Sequence, residues 1–213
     1  MLVGAGHERQ DGASMAHCLI FLIGLHGVGK STIGQALVPH GYRHISLGDL
    51  GRLLRRRRIP DGFTLRFLRL LAAHEPGERM SAKLVDALHG EIGQHNAHVP
   101  LVVDGFPAEP YQVMGLPAGC TLIHLTCPDP ERMQRLAARS ETTRRKWGAD
   151  AAESRRDRQL GAVIEAAQER TDMRTLEIPN LGLPQQVAAT IAALATQVQR
   201  QRVVFSETVF ASR

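Results

Sequence analysis

Two rhythms of apolar and polar positions run along the chain. Short apolar-rich runs, CLIFLI (18–23), YRHIS (42–46), LVVD (101–104), TLIHLT (121–126) and TLEI (175–178), read as strands. Between them, apolar residues recur at three- and four-residue spacing, which predicts helices. One begins at Ser31 behind a glycine-rich stretch and runs to Val38, and one starts within 49–58. Others cover 63–73, 80–95, 129–139, about 154–170 and 184–200. Short buried strands alternating with helices imply a parallel sheet covered on both faces and joined by right-handed crossovers. The expected fold is a three-layer α/β/α arrangement with a five-stranded parallel core sheet. Ligands of such sheets bind beyond the carboxyl ends of the strands.

Two stretches depart from this plan. Residues 50–100 place several helices between two strands, which predicts an inserted helical lobe. Residues 140–154, SETTRRKWGADAAES, are polar without a strong apolar period and suit a short lid. The domain proper is expected over 17–200. Residues 1–16, without the apolar core of a signal peptide, read as a disordered leader or as a misassigned start ahead of Met15, and 201–213 as a tail offering at most one extra strand. No window holds about 18 uninterrupted apolar residues, so no membrane partner is expected. Cys18, Cys120 and Cys127 form no CxxC pair and sit in or beside apolar runs, which predicts reduced thiols and a cytoplasmic protein.

Size and charge narrow the picture. With 213 residues, 43% of them hydrophobic, the chain can bury one compact core, and a monomer is expected. The net charge of +5 comes mostly from arginine, which favours partners rich in phosphate or carboxylate.

The chemistry starts at CLIFLIGLHGVGKST, residues 18–32. Gly24, four further residues, then Gly29-Lys30-Ser31 match the phosphate-loop spacing GxxxxGK[ST], with an apolar strand before and an amphipathic helix after. Gly24, Gly27, Val28, Gly29, Lys30, Ser31 and Thr32 are the expected phosphate-binding residues. Glycines let backbone N–H groups turn inward onto phosphate oxygens. Lys30 supplies a cation, Ser31 a hydroxyl for Mg²⁺, and the helix N-terminus faces the anion. His26, inside the loop, reads as filler. Asp104 closes the third apolar run, where a carboxylate holds Mg²⁺ through water. ATP with Mg²⁺ is the implied nucleotide, and the fold is that of a P-loop NTPase.

Further motifs are more specific. Ser46-Leu47-Gly48-Asp49 is followed three residues later by Arg52. Asp104-Gly105-Phe106-Pro107 is followed by Gln112, and GERMSAKLVDALHGEI (77–92) reads as a helix bearing Met80. These resemble the adenylate kinase and nucleoside monophosphate kinase family over about residues 18–195. The resemblance implies transfer of the ATP γ-phosphate to a nucleoside monophosphate or other small acceptor. It implies acceptor contacts from Asp49, Arg52, Met80, Gly105, Phe106 and Gln112. It also implies that Lys30, Arg135, Arg139, Arg145 and Arg156 surround the transferring group as catalytic cations. Phosphoryl transfer is mostly positioning and positive charge, so such a set makes chemical sense.

The chain departs from that pattern in two places. Ala108 stands where the family carries an arginine that clamps the acceptor phosphate, and Lys146-Trp147-Gly148 replace the lid aspartates. Arg55 or Arg79 are candidate substitutes for the clamp. Two alternatives therefore stand beside a monophosphate kinase with an atypical acceptor site. One is a kinase of a small hydroxyl acceptor with Asp49 as base. The other is an ATPase acting as an RNA- or ribosome-associated module, nucleic acid being the less favoured partner.

Overall fold

The computed structural model describes residues 18–143 and 155–210. Its central sheet is built from β1 (Leu19–Ile23), β2 (Arg43–Ser46), β3 (Leu101–Asp104), β4 (Thr121–Thr126) and β5 (Arg174–Pro179). All neighbours pair parallel, in the order β2-β3-β1-β4-β5. This is the three-layer α/β/α sheet that the alternating runs predict. β1 is buried along its whole length because it lies centrally with helices on both faces. Its odd and even side chains serve two separate cores. Leu19, Phe21 and Ile23 join Val103, Phe106 and Leu88 on one face, while Ile20 and Leu22 join Val102, Ile33 and Ile191 on the other.

The helices are α1 (Lys30–Ala36), α2 (Leu47–Arg55), α3 (Leu65–Ala72), α4 (Ala82–Asn96), α5 (Pro110–Val113), α6 (Asp129–Thr143), α7 (Arg155–Gln168) and α8 (Pro184–Phe210). Side-chain oxygens define three of their starts. Ser46 accepts from the Asp49 N–H, Thr64 from the Phe67 N–H and Ser81 from the Leu84 N–H. Between β2 and β3 lie α2, α3 and α4, where the sequence places several helices.

The end of the chain differs from expectation. The stretch after 200 is no strand, because α8 continues through it to Phe210. Once a helix is nucleated, each added residue gains a backbone bond at little cost, so the β-branched pair Val203-Val204 does not stop it. The 140–154 lid lies almost wholly outside the described residues, which resume with α7. Among the described residues, no helix is long and apolar enough to cross a membrane.

Carboxyl ends of the strands converge on one edge of the sheet. Leu22 pairs in register with Asp104 and with Ile123, and Ser46 with Asp104. Phe106, just past β3, points away from that edge into the core. It is fully buried, 6.2 Å from the Phe21 ring and 5.5 Å edge-on to His89. Phe106→Ala should therefore cost about 3–5 kcal/mol of unfolding free energy through the cavity it leaves. Urea denaturation followed by circular dichroism measures it; a loss under about 1 kcal/mol would contradict the packing.

Candidate active site

The phosphate loop connects β1 to α1. Gly24, Gly27 and Gly29 all take positive φ, at 143°, 85° and 96°. A Cβ on Gly24 would stand 2.4 Å from the Leu125 carbonyl oxygen, and one on Gly29 would stand 2.5 Å from Asn180 Nδ2. The glycines thus serve the fit of the loop against its supports as well as its turn.

Those supports come from three elements. Asn180, directly after β5 and buried, donates from Nδ2 to the Val28 carbonyl at 2.7 Å. Arg135 on α6 donates to the same carbonyl at 3.2 Å and to the Asn180 carbonyl at 3.0 Å, and also pairs with Glu131. Arg132, almost fully buried, donates to the His26 carbonyl at 3.3 Å. Asp157 on α7 accepts from the His26 backbone N–H at 3.2 Å and lies 2.9 Å from His26 Nδ1. Burial pushes the Asp157 carboxyl up, but its His26 bonds and the nearby Lys30 charge outweigh this and hold it below the usual carboxylate range. Lys30 Nζ donates to the Gly24 and Leu25 carbonyls, at 2.7 and 2.8 Å.

At the floor of the cleft, Asp104 is buried and hydrogen-bonded on both oxygens. Oδ1 accepts from Ser31 Oγ and from Ser46 Oγ, each at 3.2 Å, while Oδ2 lies 2.7 Å from His44 Nε2. His44 lies against Gly34 of α1, where a Cβ would stand 2.3 Å from its Nε2. The Ser31 hydroxyl and the Asp104 carboxylate are hard oxygen donors meeting in the cleft, a set that suits Mg²⁺ shared with phosphates and water. No cluster of three or more His, Cys, Asp or Glu that could hold a metal occurs among the described residues. A single carboxylate with nucleotide phosphates is the Mg²⁺ pattern rather than an all-protein cage.

The cleft has a volume of about 720 Å³. From the donor side its lining takes His26, Gly27, Gly29, Lys30, Ser31 and Thr32; Arg135, Arg139 and Asn180 join them from α6 and the end of β5. From the opposite side come Gly48, Asp49, Arg52, Asp104 and Gly105. Arg52 and Asp49, one turn apart on α2, form an ion pair. The structure therefore brings together most of the residues expected at the donor and half of those expected at the acceptor.

Others lie elsewhere. Val28 is buried and offers its carbonyl to the supports rather than a side chain to the cleft. Phe106 belongs to the core. Met80, just before α4, packs against that core and accepts a 3.2 Å bond from the Tyr111 hydroxyl on its carbonyl. Gln112 is buried and spends its Oε1 on the Ala108 and Glu109 N–H groups, at 2.7 and 3.2 Å. Arg79 pairs with Glu109 at 3.2 Å and covers the Tyr111 ring at 4.5 Å; neither it nor Arg55 lines the cleft. Arg145 falls outside the described residues, and so does the Arg156 side chain.

Sequence reasoning missed His44, Asn180 and Asp157, and passed over His26. His44 had one usable signal, a polar residue inside a short buried strand opposite a helix glycine. Asp157 had none, since it meets the loop across 131 residues.

Residues 20–160 match the AAA domain family. The chain belongs to that family. Its phosphate loop and parallel sheet are those of a P-loop NTPase. Among solved structures the domain is similar to a gluconokinase from Sinorhizobium meliloti 1021, with a TM-score of 0.56 and 16% identity over 90% of this chain and 98% of that one. It is also similar to a sugar kinase from Janibacter sp. HTCC2649, with a TM-score of 0.50 and 13% identity over 83% of this chain and 93% of that one. At such identities the likeness concerns the fold. No curated protein sequence matches the chain significantly.

The supports of the loop can be tested directly. Gly29→Ala should displace Asn180 from Val28 and weaken ATP–Mg²⁺ binding roughly tenfold, the worth of one buried hydrogen bond. Isothermal titration checks this, with circular dichroism to verify the fold; unchanged affinity would contradict it.

Proposed function

We propose that the protein is an ATP–Mg²⁺-dependent kinase that phosphorylates a hydroxyl of a small polar acceptor. The observation that carries this reading is the charge of the acceptor flank. Facing the phosphate loop, the cleft presents Arg52 already paired with Asp49. Ala108 adds no clamp, and Arg79 is committed to Glu109 and Tyr111. A phosphate dianion would find no unneutralised arginine among these side chains. A neutral hydroxyl needs only hydrogen bonds and a base, and Asp49 offers a carboxylate half-exposed to the cleft. The two similar folds, a gluconokinase and a sugar kinase, bear names consistent with a polyhydroxylated acceptor.

In this mechanism the loop N–H groups and Lys30 hold the ATP phosphates, and Arg139 adds positive charge from α6. Arg135 keeps the loop in shape. Asp104 and Ser31 would hold Mg²⁺, which neutralises the β- and γ-oxygens when bound. Asp49 takes the acceptor's hydroxyl proton as that oxygen bonds the γ-phosphorus. The bond from phosphorus to the bridging oxygen breaks, and ADP leaves.

A panel of sugars, sugar acids, polyols and nucleoside monophosphates, each with ATP–Mg²⁺ and assayed for ADP, should show turnover with a hydroxyl acceptor. On that acceptor Asp49→Asn should lower kcat by about 10²–10⁴, the usual worth of a general base, and leave ATP affinity within about twofold. Turnover only with monophosphates would overturn the reading.

A monophosphate acceptor is the second reading, favoured by the Ser46–Arg52 and Asp104–Gln112 motifs. Under it the missing clamp has a measurable worth. Ala108→Arg should then tighten monophosphate binding by roughly one to two decades, equivalent to about 1.5–3 kcal/mol. Unchanged or weaker binding would reject the second reading.

A further inference from the structure

The loop side chain His26 is held by a distant carboxylate, Asp157, and the kinase reading makes no use of it. We propose that His26 is a further catalytic residue, touching the terminal phosphate of bound ATP, and that Asp157 is its positioning residue. The inference rests on the phosphate loop binding ATP, but not on the identity of the acceptor.

The geometry divides the two roles. His26 lines the cleft, whereas Asp157 does not and its side chain is only 5% exposed. Asp157 holds His26 by both backbone and ring: Oδ1 accepts the His26 N–H, and Nδ1 lies 3.0 and 2.9 Å from the two carboxylate oxygens. Arg132 grips the carbonyl of the same residue. Backbone and ring are fixed together, so the imidazole cannot turn without breaking bonds to α7. Asp157 is held in its ionised form, which only accepts, so Nδ1 carries the hydrogen of that contact.

The position along the nucleotide follows from Lys30. The loop lysine reaches the β- and γ-phosphates. Here its ammonium lies on the carbonyls of Gly24 and Leu25, the two residues directly before His26, and its charge is felt at Asp157. A side chain on this lip of the cleft therefore meets the outer phosphate rather than the nucleoside. With Nδ1–H committed to Asp157, the ring approaches that phosphate by its other edge; the contact needs the doubly protonated ring, in which Nε2–H donates to a phosphoryl oxygen while Nδ1–H stays on the carboxylate. Such a bridge would strengthen as charge spreads over the equatorial oxygens during transfer.

The test compares two nucleotides on the full chain by isothermal titration: adenylyl imidodiphosphate–Mg²⁺, which has a third phosphoryl group, and ADP–Mg²⁺, which lacks it. His26→Ala should weaken the triphosphate analogue about five- to thirtyfold and leave ADP within about twofold, because a charge-assisted contact is lost only at the outer phosphate. Asp157→Asn should reproduce part of that loss, and the double variant should lose no more than His26→Ala alone. His26→Gln, which keeps a donor of similar reach, should recover part of the affinity. An equal loss for both nucleotides would reduce the pair to a scaffold of the loop and overturn the proposal. So would unchanged affinities, additive losses, or failure of the unaltered protein to bind either nucleotide. If the unaltered protein binds both nucleotides but phosphorylates no hydroxyl, the kinase reading fails and the His26 comparison still decides.

Discussion

A buried carboxylate at the end of β3 ties the cleft together. Asp104 accepts from Ser31 at the start of α1 and from Ser46 at the end of β2, and contacts His44 on β2. Ser46 also caps α2. A buried charge without partners would cost several kcal/mol, so the hydroxyls and the imidazole have to be where they are for β3 to end in aspartate. The same bonds fix the spacing between the phosphate loop and α2. The phosphate-loop side and the α2 side of the cleft are thereby referenced to one atom group, and the 720 Å³ between them keeps its shape.

The sheet explains why the site forms there. From β1 the chain crosses to the edge strand β2, returns to β3 beside β1, and then moves to β4 and β5 on the other side. Loops after β1 and β3 leave in opposite directions, opening a crevice at the carboxyl ends. Parallel neighbours hold Asp104 level with Leu22, so that carboxylate and the start of the phosphate loop stay in register. Around the phosphate loop, α6, α7 and the segment after β5 brace it through Arg132, Arg135, Asp157 and Asn180.

Local rules made much of this legible. The five apolar runs became five strands: two-sided burial marks β1, β3 and most of β4, while the edge strands β2 and β5 are only partly buried. The glycine-lysine spacing located the phosphate loop because its chemistry is carried by consecutive residues. Asp49, Arg52 and Gly105 line the cleft because helix spacing and the strand end fix where they point. Phe106, Gln112 and Met80 were read as acceptor contacts from motif position, but their orientation is decided by packing: a phenyl ring goes to the core, and an amide next to unpaired N–H groups satisfies them. His44, Asp157 and Asn180 depend on partners far along the chain, which no local pattern records. The helix past residue 200 overrode the β-preference of Val203 and Val204, which is weaker than helix propagation.

The turn around Ala108 separates two properties that one residue often carries together. Its backbone N–H is held by Gln112 at 2.7 Å, and the next N–H by the same oxygen, so the path of the chain there does not depend on the side chain at 108. A different side chain at 108 would change the local charge and leave that backbone path in place.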